Sequence, residues 1–299
     1  MSAMNVKFGC APINWTNDDL PSLGSELTYE QCISEMALAG FKGTEVGHKY
    51  PKDVPTLKKA LDLRDLVVCN MWYSSYFTAF RNAETLAGFQ DHLDFSYALG
   101  ARVVTVGEIG VSVHIHPEIP LFPNRPVLSD AQFENLANGL NTLGKMAKDH
   151  DMTLCFHPHA GTGIETMEEI DRLMEMTDPE LVTLLLDTGH VTVGGGDPVK
   201  VLKKYINRIT HMHFKDVRGD ILNALKASTA ESFIDGVKSG LYTVPGDGNM
   251  VDWKSIFEII KASDYSGWIV VEAEQDPAKA NPLEYALKAR KFLREGLGV

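Results

Sequence analysis

The sequence predicts a single (β/α)8 barrel of the α/β class. Eight short apolar runs have strand length, and nearly all are followed by a stretch of helix length. The 299 residues show no break in composition and no low-complexity linker, so residues 1–299 are expected to form one domain. A doubly wound open sheet is the alternative. It is disfavoured because no strand-to-helix turn carries a Rossmann or P-loop glycine fingerprint.

The elements follow one another in regular order. Strands are predicted at 6–11, 42–46, 66–71, 102–106, 152–156, 181–186, 208–214 and 268–273. Helices are predicted at about 28–39, 54–63, 83–99, 129–147, 167–176, 198–205, 253–262 and 282–293. Capping boxes at Thr28–Gln31 and Ser129–Gln132 mark two of the helix starts. Long loops at about 109–128 and 217–250 are expected over the C-terminal face of the barrel, and loops of this length are usually functional.

Composition and charge exclude several classes of partner. The chain is 44% hydrophobic and 23% charged, which is ordinary for a soluble protein with a sizeable core. A net charge of -12 disfavours general nucleic-acid and membrane-surface binding, since both favour a basic face. Neither a signal peptide nor an apolar run of membrane-spanning length is visible, so a cytoplasmic protein is predicted. A homo-oligomer is compatible with the sequence, which does not determine the oligomeric state.

The cysteines give no sign of a disulfide framework or a structural zinc site. The four are far apart in sequence and form no CxxC motif: Cys10, Cys32, Cys69 and Cys155. Buried free thiols in a reducing compartment are therefore expected.

Metal-competent side chains follow the last four predicted strands. They are His157 and His159 after strand five, Asp187 and His190 after strand six, His211 and His213 on strand seven, and Glu272 and Glu274 at strand eight. Lys215, which follows strand seven on the same face as His213, is a candidate for catalysis beside the metal. In a barrel the C-terminal strand ends converge on one pocket, and spacings of two residues keep each set on one face. Mixed histidine and carboxylate ligands suit a divalent ion such as Mn, Co, Zn or Fe. The sequence therefore predicts a metal centre at this rim.

Each candidate also has a structural alternative, which the residues alone leave open. Asp187 could cap a helix, His211 could be a core histidine, and His190 could support Asp187. Glu274 and Lys215 could be solvated loop residues. Glu45 on strand two is either an active-site carboxylate or a salt-bridge partner, and Trp15 and Trp72 either stack on a ligand or pack in the core. His190 could also hold a second ion. His157 and His159 compete for the same role as ligand from strand five.

Several motifs carry a resemblance to known proteins. Asp-Thr-Gly-His at 187–190, His-Met-His-Phe-Lys-Asp at 211–216 and Val-Val-Glu at 270–272 resemble the xylose-isomerase-like barrel superfamily. Asn14-Trp15 and the segments 43–47, 242–248 and 271–277 are similar to the inosose dehydratase family over essentially the whole chain. The last of these segments, with Asn281-Pro282 after it, is the most specific.

The resemblance implies a ligand set and cofactors. Carried over residue by residue, it implies Asp187, His213 and Glu272 as metal ligands, with His157 or His159 completing the site. Related epimerases usually have a glutamate at the position of His157, so two-base epimerisation is in doubt. The resemblance further implies Mn or Co as the metal and a dependence on glutathione, although no glutathione site is visible in the sequence.

The implied reaction belongs to inositol catabolism. A keto-inositol, scyllo-inosose, would lose water to give a trihydroxycyclohexanedione, which requires a Lewis acid, a base and an acid. The candidates for catalysis are Lys215, Glu45, His159 and Glu272, with the proton-transfer roles unassigned. Candidates to hold this polyol ketone are Asn14, Trp15, Trp72 and Arg218. The alternatives are a sugar epimerase or isomerase on the same barrel, an endonuclease-type phosphodiesterase, which the charge disfavours, and a non-catalytic carbohydrate-binding barrel.

Overall fold

The computed structural model describes residues 5–298 as a closed parallel barrel surrounded by helices. The parallel strands are β1 (Lys7–Cys10), β2 (Gly43–Thr44), β3 (Val67–Val68), β4 (Trp72–Ser75), β5 (Val103–Glu108), β6 (Thr153–Phe156), β7 (Val182–Asp187) and β8 (Ile209–Phe214), with β11 (Trp268–Val271) completing the set. They hydrogen-bond in the order β3-β2-β1-β11-β8-β7-β6-β5-β4. The end strands β3 and β4 are two pieces of one stretch of chain, separated by residues 69–71. The order therefore returns on itself, and the predicted barrel is confirmed.

Twelve helices accompany these strands within residues 5–298. They are α1 (Tyr29–Leu38), α2 (Val54–Asp62), α3 (Asn82–Ala87), α4 (Phe89–Ala98), α5 (Asp130–Asp149), α6 (Met167–Met176), α7 (Thr188–Val193), α8 (Pro198–Tyr205), α9 (Gly219–Ala227), α10 (Phe233–Ser239), α11 (Trp253–Ala262) and α12 (Pro282–Leu297). Short 3₁₀ turns lie at Pro12–Asn14, Phe77–Ala79 and Phe122–Asn124. The single helix predicted over 83–99 is wrong in one respect, because Gly88 separates α3 from α4.

The capping signals in the sequence correspond to observed helix starts. At α5, Ser129 and Gln132 form the full reciprocal box. At α1, the Thr28 hydroxyl accepts from the Gln31 backbone N–H, but the Gln31 side chain instead donates to Glu35 over 2.8 Å. Long α5 buries its apolar face against the barrel, because its leucines, alanines and glycines recur at helical spacing on one side.

The segment 217–250 is folded rather than an irregular loop. It contains α9 and α10 between β9 (Asp216–Val217) and β10 (Tyr242–Thr243), which pair antiparallel. Its apolar residues form a separate cluster that includes Val113 and Leu121 of the other long segment, 109–128. Hydrophobic burial therefore ties the two long segments to each other beside the strand ends.

Two further predictions concern the chain as a whole. All four cysteines are free and buried, as expected. Among residues 5–298, we find no helix with the length and apolar character needed to cross a membrane.

Candidate metal centre

A cavity of about 330 Å³ opens where the barrel strands end. Its walls carry side chains from both halves of the barrel, among them Ile13, Asp18, Asp19, Glu45, His48, Trp72, His114, His157, His159, His213, Glu272 and Glu274. The volume is within the usual range for a small-molecule site. The concentration of histidines and carboxylates in it gives the cavity its chemical character.

The two carboxylate oxygens of Asp187, at the end of β7, have different surroundings. Its Oδ1 accepts hydrogen bonds of 2.8 Å from the backbone N–H groups of Gly189 and His190, and so caps α7. Its Oδ2 is buried and makes no hydrogen bond within residues 5–298. Burial by itself would raise the pKa of this carboxyl, but Lys215 and His190 outweigh it and hold the pKa well below its usual range. Asp187 is therefore an ionised group with one oxygen left for a ligand.

His213 on β8 lies between three carboxylates. Its Nε2 is 2.8 Å from Glu45 Oε1, while its Nδ1 is 2.7 Å from Glu272 Oε2 and 3.7 Å from Asp187 Oδ2. Burial alone would lower the pKa of His213, but Glu272 and Glu45 outweigh it and raise that pKa well above its usual range. A carboxylate on the far nitrogen of a histidine is the arrangement that orients metal ligands and raises their basicity.

The residues present fit a divalent cation. His157 Nε2 lies 3.5 Å from Asp187 Oδ2, so its spacing matches that between Asp187 and His213. Ligand atoms about 2.1 Å from one shared ion in tetrahedral array lie about 3.4 Å apart. His157 Nε2, like Asp187 Oδ2, is buried without a hydrogen-bond partner in the described chain, while His213 Nδ1 faces Glu272. Buried polar atoms left open in this way are rare unless a ligand satisfies them.

Lys215 is fully buried beside this group, not exposed on a loop. Its Nζ donates to Glu272 Oε1 over 2.6 Å and to His190 Nε2 over 2.9 Å, and it lies 3.4 Å from Asp187 Oδ2. Burial would lower the pKa of Lys215, but the surrounding carboxylates outweigh it and raise it. The side chain fits because residue 189 is glycine: a Cβ there would lie 2.7 Å from Lys215.

His159 and His190 form a second layer that faces Glu274. Their rings are 3.6 Å apart, and each Nε2 lies within 3.7 Å of Glu274 Oε1. Both ring nitrogens of His190 are engaged by the protein: Nε2 lies 2.9 Å from the Lys215 ammonium, and Nδ1 lies 3.0 Å from the Tyr242 hydroxyl and 3.4 Å from the Ala160 backbone N–H. His190 is thus placed as a support. The structure puts His157, not His159, beside Asp187, and it buries Glu274 rather than exposing it.

Of the predicted substrate contacts, only Trp72 lines the cavity. Its ring meets the His157 ring edge-on at 5.4 Å. Asn14 lies just behind the wall, where its Oδ1 accepts from the Ala273 backbone N–H over 2.8 Å. It therefore positions the chain between Glu272 and Glu274.

Two of the predicted substrate contacts lie elsewhere. Trp15 is fully buried, with its indole N–H on Glu35 Oε2 at 2.6 Å, because its loop folds back onto α1. Arg218 donates to the carbonyls of Gly240 and Tyr242 and to Asp247, so it braces the 217–250 segment. The geometry does not support either residue as a substrate contact.

Two side chains that carry site chemistry, His114 and Asp19, were missing from the predicted set, and for Glu274 the sequence left a site role and a solvated loop position open. His114 lies under 109–128 with its ring 4.5 Å from that of His159. Asp19 lines the cavity from the loop after β1, and Glu274 lies against Lys215 at 3.5 Å. Position after a strand end was the available signal for Asp19 and Glu274. Nothing in the local sequence predicted that His114 would fold inward.

Comparison with known proteins identifies the family to which the chain belongs. The sequence profile of the xylose isomerase-like TIM barrel family matches residues 33–296. An inosose dehydratase of Clostridium tetani (strain Massachusetts / E88) is 53% identical over 290 residues, covering 97% of each chain. One from Geobacillus thermodenitrificans (strain NG80-2) is 53% identical over 294 residues, covering 98% of each. The chain belongs to the inosose dehydratase family.

The predicted enzyme class, a hydro-lyase of the inosose dehydratase type, is confirmed by these family members. Among solved structures, the IOLI protein with a bound zinc atom superimposes with a TM-score of 0.71 at 14% identity, covering 98% of each chain. At that identity the likeness supports the fold alone. The zinc belongs to that protein.

Proposed function

We propose that this chain eliminates water from a keto-inositol, with scyllo-inosose as substrate and a trihydroxycyclohexanedione as product. The observation that carries the proposal is that ligand atoms of His157, Asp187 and His213 lie close together, with those of His157 and Asp187 buried and without a hydrogen-bond partner in the described chain. The names of the 53% identical relatives supply the substrate class. A cavity of about 330 Å³ accommodates a six-membered polyol ring.

In this proposal the cation is held by His157, Asp187, His213 and Glu272. Bound there, a divalent metal such as Mn or Co would act as a Lewis acid that polarises the substrate ketone and makes its α C–H more acidic. Glu45 holds His213 in the ligating orientation through the 2.8 Å contact to Nε2. The protein's own part is to orient the ring and to place proton acceptors and donors around it.

His159 is the side chain best set to take the α proton. Its Nδ1–H donates to the Ala160 carbonyl over 2.8 Å, so the neutral ring carries its lone pair on Nε2. Burial alone would lower the pKa of His159, but Glu274 outweighs it and raises that pKa, so Glu274 stabilises the ring once Nε2 has taken a proton. Lys215, whose pKa is raised, stays an ammonium and serves as a fixed positive charge against Glu272. Glu45, already held by His213, is better placed to orient than to transfer a proton.

The test is incubation of scyllo-inosose with metal-free protein and with protein reloaded with Mn or Co. Mass spectrometry of the product should show loss of one water only in the loaded samples. Asp187→Asn, which keeps the helix cap, should bind metal at least tenfold more weakly. Full activity of the metal-free protein would refute the metal role, and a product of unchanged mass would favour the epimerase alternative. Parallel reactions with and without glutathione test that cofactor directly.

A further inference from the structure

The loop after β1 brings one more carboxylate to the cavity. Asp19 lines the same cavity as His159 and Glu274, although it follows a different strand. Unlike its neighbour Asp18, which lies 2.5 Å from His48 Nδ1, Asp19 makes no side-chain hydrogen bond or ion pair within residues 5–298. A carboxylate without a protein partner at a substrate cavity is available to a ligand.

The local structure holds Asp19 in place. The Asn17 side-chain oxygen accepts from the backbone N–H groups of Asp19 (2.9 Å) and Leu20 (2.7 Å), and so closes a tight turn. Asn17 itself is buried and donates its backbone N–H to Leu23 over 3.3 Å. Gly24 has φ of +70°, and a Cβ there would lie 1.9 Å from the Trp15 carbonyl oxygen. The loop is thus packed against the body, which fixes where Asp19 points.

The surroundings of Asp19 favour its protonated form. Burial raises its pKa to about 6, and Glu274, Asp18 and Glu272 act in the same direction while His159 opposes them. An acid with a pKa near the working pH can both donate a proton and recover it. The Lys215 ammonium, in contrast, is already engaged by Glu272 and His190.

We propose that Asp19 is a catalytic residue, the acid that protonates the hydroxyl group as it leaves. The inference rests on the proposed dehydration. The α C–H bond breaks, its proton goes to the base, and its electron pair forms the new C=C bond. The C–O bond breaks with its pair remaining on oxygen, which takes the Asp19 proton and departs as water. The new C=C bond carries the α hydroxyl, so the immediate product is an enol, which becomes the dione when its O–H proton is lost and the former β carbon gains one. Asp19 is left as a carboxylate and the base is left protonated, and exchange with solvent through the cavity mouth restores both.

The first test compares Asp19→Asn with the matched control Glu26→Gln, an exposed carboxylate in the same segment. Asp19→Asn should keep its melting temperature, while kcat for dehydration falls at least 100-fold with KM changed less than threefold. The control should behave as the parent protein. Retained kcat in Asp19→Asn would overturn the proposal, and so would an effect confined to KM, which indicates binding alone.

The second test separates proton donation from all other roles. In a substrate whose β-hydroxyl is replaced by fluorine, the leaving group needs no proton, so Asp19→Asn should release fluoride within fivefold of the parent rate. It should also still exchange the α proton with D₂O, followed by NMR. Loss of both reactions in the variant would refute the acid role. If the parent protein dehydrates no keto-inositol, the proposed function fails; if it does and only these outcomes are absent, the Asp19 assignment alone fails.

Discussion

At the scale of single residues, Asp187 shows how one side chain can satisfy two interpretations of the same motif. A helix cap and a metal ligand looked like alternatives, yet the cap uses only Oδ1 and leaves Oδ2 available for the metal of the proposed function. The cap holds Oδ1, which fixes the direction of Oδ2 toward His157 and His213. In the proposed metal site, the N-terminus of α7 therefore orients the Asp187 carboxylate.

Two substitutions should distinguish the helix-capping role of Asp187 from its proposed role in metal binding. Asparagine caps helices about as well as aspartate, whereas alanine at such a position costs about 1 kcal/mol. Both Asp187→Asn and Asp187→Ala should lose tight metal binding in isothermal titration. In urea unfolding without metal, only Asp187→Ala should show the additional loss of about 1 kcal/mol. Equal unfolding free energies for the two variants would contradict the capping role.

Trp15 and Trp72 were both predicted as substrate contacts, but their substitution should affect different properties of the protein. Trp15→Phe removes a buried hydrogen bond to Glu35, so the free energy of unfolding should fall by about 1 kcal/mol with kcat and KM retained. Trp72→Phe removes part of the cavity wall, so KM for the keto-inositol should rise several-fold with a smaller change in stability. Steady-state kinetics combined with denaturant unfolding of both variants would show the contrast. A raised KM in Trp15→Phe alone would contradict it.

At the scale of elements, the pairing of β4 with β5 explains how a large ring fits at the cavity wall. The register places Trp72 opposite Thr105 and Ser74 opposite Gly107. The indole folds over Gly107, where a Cβ would come within 1.9 Å of the ring. A glycine is therefore required at this point of β5, because the neighbouring strand supplies the side chain that covers it.

Substitution of Gly107 should disturb the cavity through Trp72. Gly107→Ala should displace the indole and destabilise the protein by about 1–3 kcal/mol, as overpacking does. The value of kcat/KM should fall at least tenfold. The ring atoms that clash belong to the outer part of the indole, which phenylalanine lacks. The double variant Gly107→Ala/Trp72→Phe should therefore recover stability relative to Gly107→Ala, as measured by thermal unfolding, and additive losses would contradict the contact.

At the scale of the whole molecule, barrel closure assembles the site from distant parts of the chain. Glu45 follows β2 and His213 lies on β8, 168 residues later, yet their side chains are 2.8 Å apart. Three carboxylates surround the buried Lys215: those of Asp187, Glu272 and Glu274. Their mutual repulsion is offset because each of them faces a positive or hydrogen-bonding partner. Charge balance at this site is therefore a property of the closed barrel.

The pH dependence of stability also belongs to the whole fold. His92 on α4 packs against Tyr73, and burial lowers its pKa from 6.5 to about 4. Between these values the unfolded chain binds a proton that the folded chain excludes, so stability falls as pH drops from 6.5 to 4. His92→Phe should reduce this slope by up to about 1.4 kcal/mol per pH unit in urea unfolding. An unchanged slope would contradict the assignment.

Local sequence patterns were enough to predict the barrel, the order of its elements and most of the metal-competent residues. Strand and helix periodicity, capping residues and turn glycines are local signals, and the position of polar groups after strand ends follows from them. For this reason the sequence offered several candidate metal ligands, and the family resemblance selected Asp187, His213 and Glu272 among them.

Which of these groups face one another depends on how the closed barrel packs its side chains. The packed structure places His157, rather than His159, beside Asp187, and it buries Lys215 and Glu274. It also brings His114 against His159 and directs Trp15 and Arg218 away from the cavity. Side-chain direction in loops depends on partners that are remote in sequence, such as Glu35 for Trp15 and Asp247 for Arg218. The physical reason is that buried polar groups must find partners, and those partners come together only when the barrel closes.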